Sequence, residues 1–253
     1  MITPWYQQKF HRRFRKGSRK GHGIHSPFMF DFITNIVENP HPFYAFEDLG
    51  KTLKILYKSK EAIKVPEWGH IFGLKNAIYS EGTVARRTEV AEKTGELIFR
   101  IINKFSCRNI VHYGPTLGIN LLYLAKVNQK NRIQLIAQIK ECSKVSNTIL
   151  QKYSISDFVE KTEQLKYPND KSIDLALINF PQSVIQTSQA IESVLPCCKE
   201  ESIIVIRGIN SNKAMKNWWN EFKSNQKKGI TLDLNIIGLY FLRSDLQNQH
   251  FIY

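Results

Sequence analysis

His112 stands two residues before Gly114, and Gly114-Pro-Thr-Leu-Gly118 leads into the apolar run Ile119-Asn-Leu-Leu-Tyr-Leu-Ala125. A short apolar strand, a loop with two glycines and a helix is how an α/β sheet presents backbone to a nucleotide-like ligand at a strand's carboxyl end. The glycines let the chain turn tightly and approach a ligand closely. Gly114, Thr116, Leu117 and Gly118 are therefore the candidate cofactor-contacting residues, and His112 is the one histidine near the loop that could act as a base. Further polar residues end later apolar runs: Gln138 after Leu135-Ile-Ala, Asn179 and Gln182 after Asp174–Ile178, and Arg207 and Asn210 after Ser202–Ile206. Amides there can hydrogen-bond a neutral ligand. A lone cation at a turn rich in backbone donors can hold a phosphate or carboxylate, or pair with an acid such as Glu67.

These side chains must be positioned by alternating elements. From residue 109 the chain reads strand 110–113, helix 120–127, strand 133–138, helix 142–153, a weak strand near Phe158, strand 173–179, helix 184–195, strand 202–206 and helix 213–223. Strands 231–235 and 238–243 close it. Short apolar strands alternating with helices imply a mainly parallel sheet covered on both faces. The short link between the last two strands implies antiparallel neighbours. Upstream, apolar residues Leu97, Ile98, Ile101, Ile102 and Phe105 follow the three/four spacing of one amphipathic helix over roughly 87–105. Lys51–Lys64 reads as a solvated helix. Ser26 with Pro27 reads as a helix start. Of Trp218 and Trp219, one belongs in the core and the other covers an edge or a partner surface.

The chain has 253 residues, 42% of them apolar, which is enough for one large domain with a substantial core. The formal net charge is +14. Residues 1–30 contain seven lysines and arginines and no acid, interleaved with Trp5, Tyr6, Phe10 and Phe14. Their spacing suits one helical face, which Gly17, Gly21 and Gly23 then interrupt. Aromatics that stack and cations that neutralise phosphates suit nucleic acid, and the same design suits an anionic membrane surface. Residues 1–20 are the expected partner surface for either, and a protein partner is a third expectation. Cys107, Cys142, Cys197 and Cys198 form no metal-ligand spacing, and His22 and His25 have no companion ligands, so no metal is expected. Reduced thiols and the lack of a secretory pattern place the expected location in the cytoplasm.

Three segments carry a resemblance. Lys20–Phe32 matches a "KGHGxHSPFxxDF" element; His112–Ile119 with Tyr123-Leu-Ala125 matches a glycine loop of the type "hE.G.SLGh…YLA". Thr231-Leu-Asp-Leu, Gly238–Arg243 and His250-Phe251 match a closing "TIDL…GLhFFR…HF". On these the chain resembles a bacterial O-methyltransferase-like family of the class I S-adenosylmethionine-dependent methyltransferases. The resemblance implies a Rossmann-like sheet of seven strands with the last antiparallel and helices on both faces. It implies residues 86–253 as the α/β domain and 1–85 as a basic extension and cap. It also implies S-adenosylmethionine as cofactor and methyl transfer to an oxygen or nitrogen acceptor. Four positions that the family fills with acids depart from it: His112, Gln138, Asn179 and Arg207. Gln138 would take over the ribose contact. Arg207 followed by Gly208 supplies no oxygen ligand for a divalent metal. The expectation is an eroded cofactor site, and a non-catalytic binding module is the rival reading.

Overall fold

The computed structural model describes residues 25–65, 67–166 and 172–253, with Glu67 described by its backbone alone. The basic aromatic segment, His22 and residues 20–24 of the Lys20–Phe32 element lie outside the described residues. Ser26 does cap a helix: its Oγ accepts from the Met29 amide, and Pro27 opens α1 (Pro27–Phe32). Proline costs nothing at this position, because its missing N–H would have had no helical partner.

Then follow α2 (Phe46–Lys58), the small antiparallel pair β1 (Ala62–Lys64) and β2 (Ile78–Ser80), α3 (Glu81–Thr88) and α4 (Glu92–Lys104). The lysine-rich stretch is thus a helix that starts earlier and stops at Lys58. It turns Leu49, Leu53 and Leu56 inward while Lys51, Lys54 and Lys58 stay out in solvent. The single helix expected over 87–105 is two helices. Ser80 caps α3, the chain turns extended at Glu89, and α4 restarts at Glu92. The three/four spacing holds only within α4, where Leu97, Ile98, Ile101 and Ile102 are buried. The boundary expected at residue 85 falls inside α3, and α1, α2 and α3 contribute to the same hydrophobic core as the sheet.

The main sheet has eight strands in the order β10-β8-β9-β7-β6-β3-β4-β5. Its parallel part is β3 (Asn109–Tyr113), β4 (Arg132–Ile136), β5 (Val159–Thr162), β6 (Ile173–Ile178) and β7 (Cys198–Arg207). Between them run α5 (Ile119–Ala125), α6 (Lys140–Lys152) and α7 (Val184–Val194). After α8 (Lys213–Asn225), β8 (Ile230–Asp233) and β9 (Ile237–Phe241) form the antiparallel pair that the short link implied. One strand was not foreseen: β10 (Gln249–Ile252) adds to the edge, parallel to β8. Its four-residue length leaves little periodic signal. Trp219 is fully buried on α8, stacked on Phe222 and set against Gly238, whereas Trp218 is half-buried. All four cysteines are buried.

The fold therefore positions a site by one topological fact. The chain steps from β3 outward to β4 and β5, then crosses back so that β6 pairs with the other side of β3. Connections leave in opposite directions from the carboxyl ends of β3 and β6, which opens a crevice there.

Candidate functional site

Gly114 and Gly118 bracket the loop at this crevice with φ of +111° and +115°, a region that favours glycine. A Cβ at Gly114 would stand 2.7 Å from the Asn179 carbonyl oxygen, and one at Gly118 would stand 3.1 Å from Cβ of Ile149. Both glycines thus abut the chain's own atoms. The intervening Pro115, Thr116 and Leu117 are buried as well.

The crevice holds a carboxylate that the sequence did not announce. Where the chain leaves α3, Glu89 turns inward and is buried at the loop. Its Oε1 accepts from the Leu117 amide at 2.6 Å, and its Oε2 accepts from the Asn120 amide at 2.9 Å and the Thr116 hydroxyl at 2.8 Å. The Thr88 hydroxyl, 3.0 Å from Oε1, is shared with the Val84 carbonyl. Burial raises the proton affinity of Glu89, and these donors pull it back down. The amides that a glycine loop offers to an outside anion are taken by this internal one.

The four positions where the resemblance expects acids are held by the same arrangement. The Asn120 side-chain oxygen accepts from the Val90 amide at 2.8 Å, so its NH₂ faces the Thr88 carbonyl and His112 Nε2, at 3.2 and 3.1 Å. His112 Nε2 must then accept, which places the ring proton on Nδ1. Burial lowers the His112 proton affinity from its usual 6.5 to about 3, so the ring is neutral at physiological pH. Asn179 donates to the carbonyls of Thr88 and Pro115, at 2.9 and 2.8 Å. Arg207 Nη1 donates to the Thr88 carbonyl at 2.8 Å and to Asn179 Oδ1 at 2.9 Å. Gln138 folds back on the loop, accepting from the Thr116 amide at 3.1 Å and donating to the Thr116 carbonyl at 2.8 Å.

Asn120, Asn179 and Arg207 therefore meet around one carbonyl, that of Thr88, with His112 joined to it through Asn120, while Gln138 clamps the loop beside them. Asn210 lies outside this cluster, bonded to Asp233 and the Asn235 carbonyl. Gln182 uses its backbone amide on the Ile71 carbonyl and its side chain packs against Gly73. The acid within electrostatic reach of Arg207 is Glu89, and burial lowers Arg207 to about 10, so it stays a cation at neutral pH. The side chain of Glu67 lies outside the described residues. Sequence reasoning missed Thr88, Glu89 and Asn120 because the helical pattern was carried through residues 87–91. The one available signal was a carboxylate in an apolar surround, Thr88-Glu-Val-Ala91. No group of three or more metal-ligating side chains occurs among the described residues.

Solved structures share this architecture. A methyltransferase from Geobacter sulfurreducens superposes with a TM-score of 0.53 at 16% identity, covering 64% of this chain and 85% of that one. A SAH-bound methyltransferase from Podospora anserina gives 0.52 at 11% identity, over 81% and 97%. An O-methyltransferase from Bacillus cereus, in complex with SAH, gives 0.51 at 11% identity, over 83% and 96%. The chain has the methyltransferase fold. At such identities the likeness concerns the fold, and activity must be argued from the site. No protein-family model and no curated protein sequence matches the chain. Within the methyltransferase fold, the loop carrying Gly114 and Gly118 lies at the switch point between β3 and β6, where such sheets take ligands. No helix among the described residues is long and apolar enough to cross a membrane.

Proposed function

We propose that this chain is a protein of the S-adenosylmethionine-dependent methyltransferase type whose cofactor site has eroded. Methyl transfer to an oxygen or nitrogen acceptor is its ancestral, nominal reaction. The observation that carries the reading is the buried Glu89 carboxylate bonded to the Leu117 and Asn120 amides. The residues present do not fit the cofactor. The Gln138 amide is spent on Thr116 at both ends. Arg207 brings a positive charge to a place where a sulfonium and an α-ammonium would have to sit. Losing a charge-assisted bond to ribose costs roughly 1.5–3 kcal/mol, or about 10- to 150-fold in affinity. Titration calorimetry with S-adenosylmethionine and S-adenosylhomocysteine tests this. No saturable heat below about 1 mM is expected. Micromolar binding that weakens when Gly114 or Gly118 is replaced by valine would overturn the reading.

A second reading is favoured by the charge distribution. With seven cations and no acid in residues 1–30, the fold serves as a binding module that engages a polyanion through residues 1–20. Replacing Arg12, Arg13, Arg15 and Lys16 together with glutamine is expected to lower the salt slope of binding to a labelled oligonucleotide. Each lost phosphate contact reduces the slope of log K against log salt by about 0.7–0.9. An unchanged slope removes the nucleic-acid version. Flotation with anionic vesicles, repeated on the same variant, decides for or against a membrane surface.

A further inference from the structure

We infer that the groove at the amino-terminal ends of β3, β4 and β5 binds single-stranded nucleic acid, with Arg108, Lys130 and Arg132 on its phosphates and Phe158 against a base. This groove lies at the opposite ends of the strands from the crevice. It needs none of residues 1–20, so the inference goes beyond the reading that places polyanion binding there.

The sheet register brings these residues together. Parallel pairing sets Asn109 beside Arg132, and Ile133 beside Val159. Arg108, Arg132 and Phe158 therefore stand at the starts of three adjacent strands, about 4.8 Å from one strand to the next. The Arg132 amide donates to the Arg108 carbonyl at 2.7 Å, which ties the two backbones directly. Asp174 Oδ2 fixes the same corner by accepting the Arg108 and Asn109 amides, each at 2.8 Å. Lys130 sits in the turn before β4. There Asn128 Oδ1 accepts the Lys130 amide at 2.9 Å, and the Asn128 carbonyl accepts from the Asn131 amide at 3.1 Å. Arg108, Lys130, Arg132 and Phe158 line one open groove of about 520 Å³, together with Asn109 and Asp157. A second groove of about 740 Å³ adjoins it and shares Asn109, Arg132, Asp157 and Phe158, so a chain-like ligand can run on past the ring.

The backbones are fixed, but the side chains are unspent. Arg108, Lys130 and Arg132 are exposed, and none of these side chains has a hydrogen-bonding or ionic partner among the described residues. Phe158 is half-buried, and no aromatic ring among the described residues stacks on it. Nearby acids are engaged: Asp174 with Lys199 and the two amides, and Glu160 with Lys166. Asp157 alone stands on the rim exposed and unpaired, one carboxylate against three cations. Unpaired cations in a groove are the footprint of a phosphate backbone, and a free ring face beside them is a stacking platform. A duplex hides its base faces, so the ring selects a single strand. An acidic peptide would satisfy the cations too. Its carboxylates offer no donor to Asp157 and no flat face to Phe158, whereas a nucleotide base offers both.

The test uses the full chain carrying the glutamine changes at Arg12, Arg13, Arg15 and Lys16, so that the binding left over reports on the folded domain. Fluorescence anisotropy of a labelled oligothymidylate is followed over a salt series. Adding Arg108→Gln, Lys130→Gln and Arg132→Gln together is expected to lower the slope of log K against log salt by about 2. All three positions are exposed, so this variant keeps the fold. Phe158→Leu is expected to raise Kd about 5- to 150-fold. Photocrosslinking of the unaltered chain to a strand carrying bromodeoxyuridine needs no variant, and the marked peptide should contain Phe158. An unchanged slope, or a crosslink that spares residues 108–109, 128–134 and 156–160, would overturn the inference. So would displacement of the strand by polyglutamate with Phe158→Leu inert, the outcome that identifies an acidic protein partner. Loss of all binding on changing residues 12–16 alone sinks the groove and leaves the N-terminal reading standing. Binding that ignores those changes but follows the groove variant does the reverse.

Discussion

Replacing Glu89 with alanine is expected to lower the unfolding free energy by about 3–5 kcal/mol at pH 7, the largest single effect in the crevice. The reason is where its donors sit. The Leu117 and Asn120 amides and the Thr116 hydroxyl converge on one fully buried carboxylate. Truncation leaves all three without an acceptor in a place closed to water. Orphaned buried donors cost about 1–3 kcal/mol each, only part of which relaxation recovers. Urea unfolding monitored by tryptophan fluorescence reads the change as a shift in midpoint at constant slope. A loss below about 1 kcal/mol would show that water or a rearranged loop satisfies these donors, and that Glu89 does not close the crevice.

The second large effect is acid sensitivity centred on His112. Its folded proton affinity is pushed down to about 3, against 6.5 for a free imidazole, because burial opposes the charged ring. Below pH 6.5 the unfolded chain binds a proton that the folded chain refuses. This group's contribution is therefore intact above pH 6.5 and is lost as pH falls toward 3. At about 1.4 kcal/mol per pH unit, the loss from pH 7 to 4.5 amounts to about 2–3 kcal/mol. Glu89 acts with the opposite sign. Its proton affinity is raised by burial, so its contribution declines as pH rises above its usual 4.5 toward the raised value. The two are separated by difference. Subtracting the pH profile of His112→Gln from that of the parent should leave a curve that rises with pH between 4.5 and 6.5. A flat difference would mean that the ring is protonated in the folded protein.

How much of this was legible in the residues depends on the range of the interaction involved. The α/β alternation from residue 109 onward, the antiparallel closure by β8 and β9, and the Ser26–Pro27 helix start all follow from neighbours a few positions apart. Hydrophobic period, turn residues and caps act over that distance, so composition and spacing suffice to read them. The two glycines with left-handed φ were legible for the same reason, since the strand-to-helix turn demands them locally.

The occupant of the crevice was not legible. Glu89 lies 27 to 31 residues from the loop groups it binds, and Arg207 lies 119 residues from the Thr88 carbonyl it holds. Nothing in either local sequence distinguishes a solvated glutamate at the end of a helix from a buried one. The extended break at Glu89–Ala91 is paid for by contacts made only when α5 and the loop pack beneath it. The choice between Trp218 and Trp219 was likewise settled by the sheet, because Gly238 leaves room for one ring and not the other. Periodicity along the chain carried the frame and the turn that could present a ligand. Tertiary packing alone decided that a side chain of the protein fills that turn, because only the assembled sheet brings residues 88–90, 112–120, 138, 179 and 207 together at the carboxyl ends of its central strands.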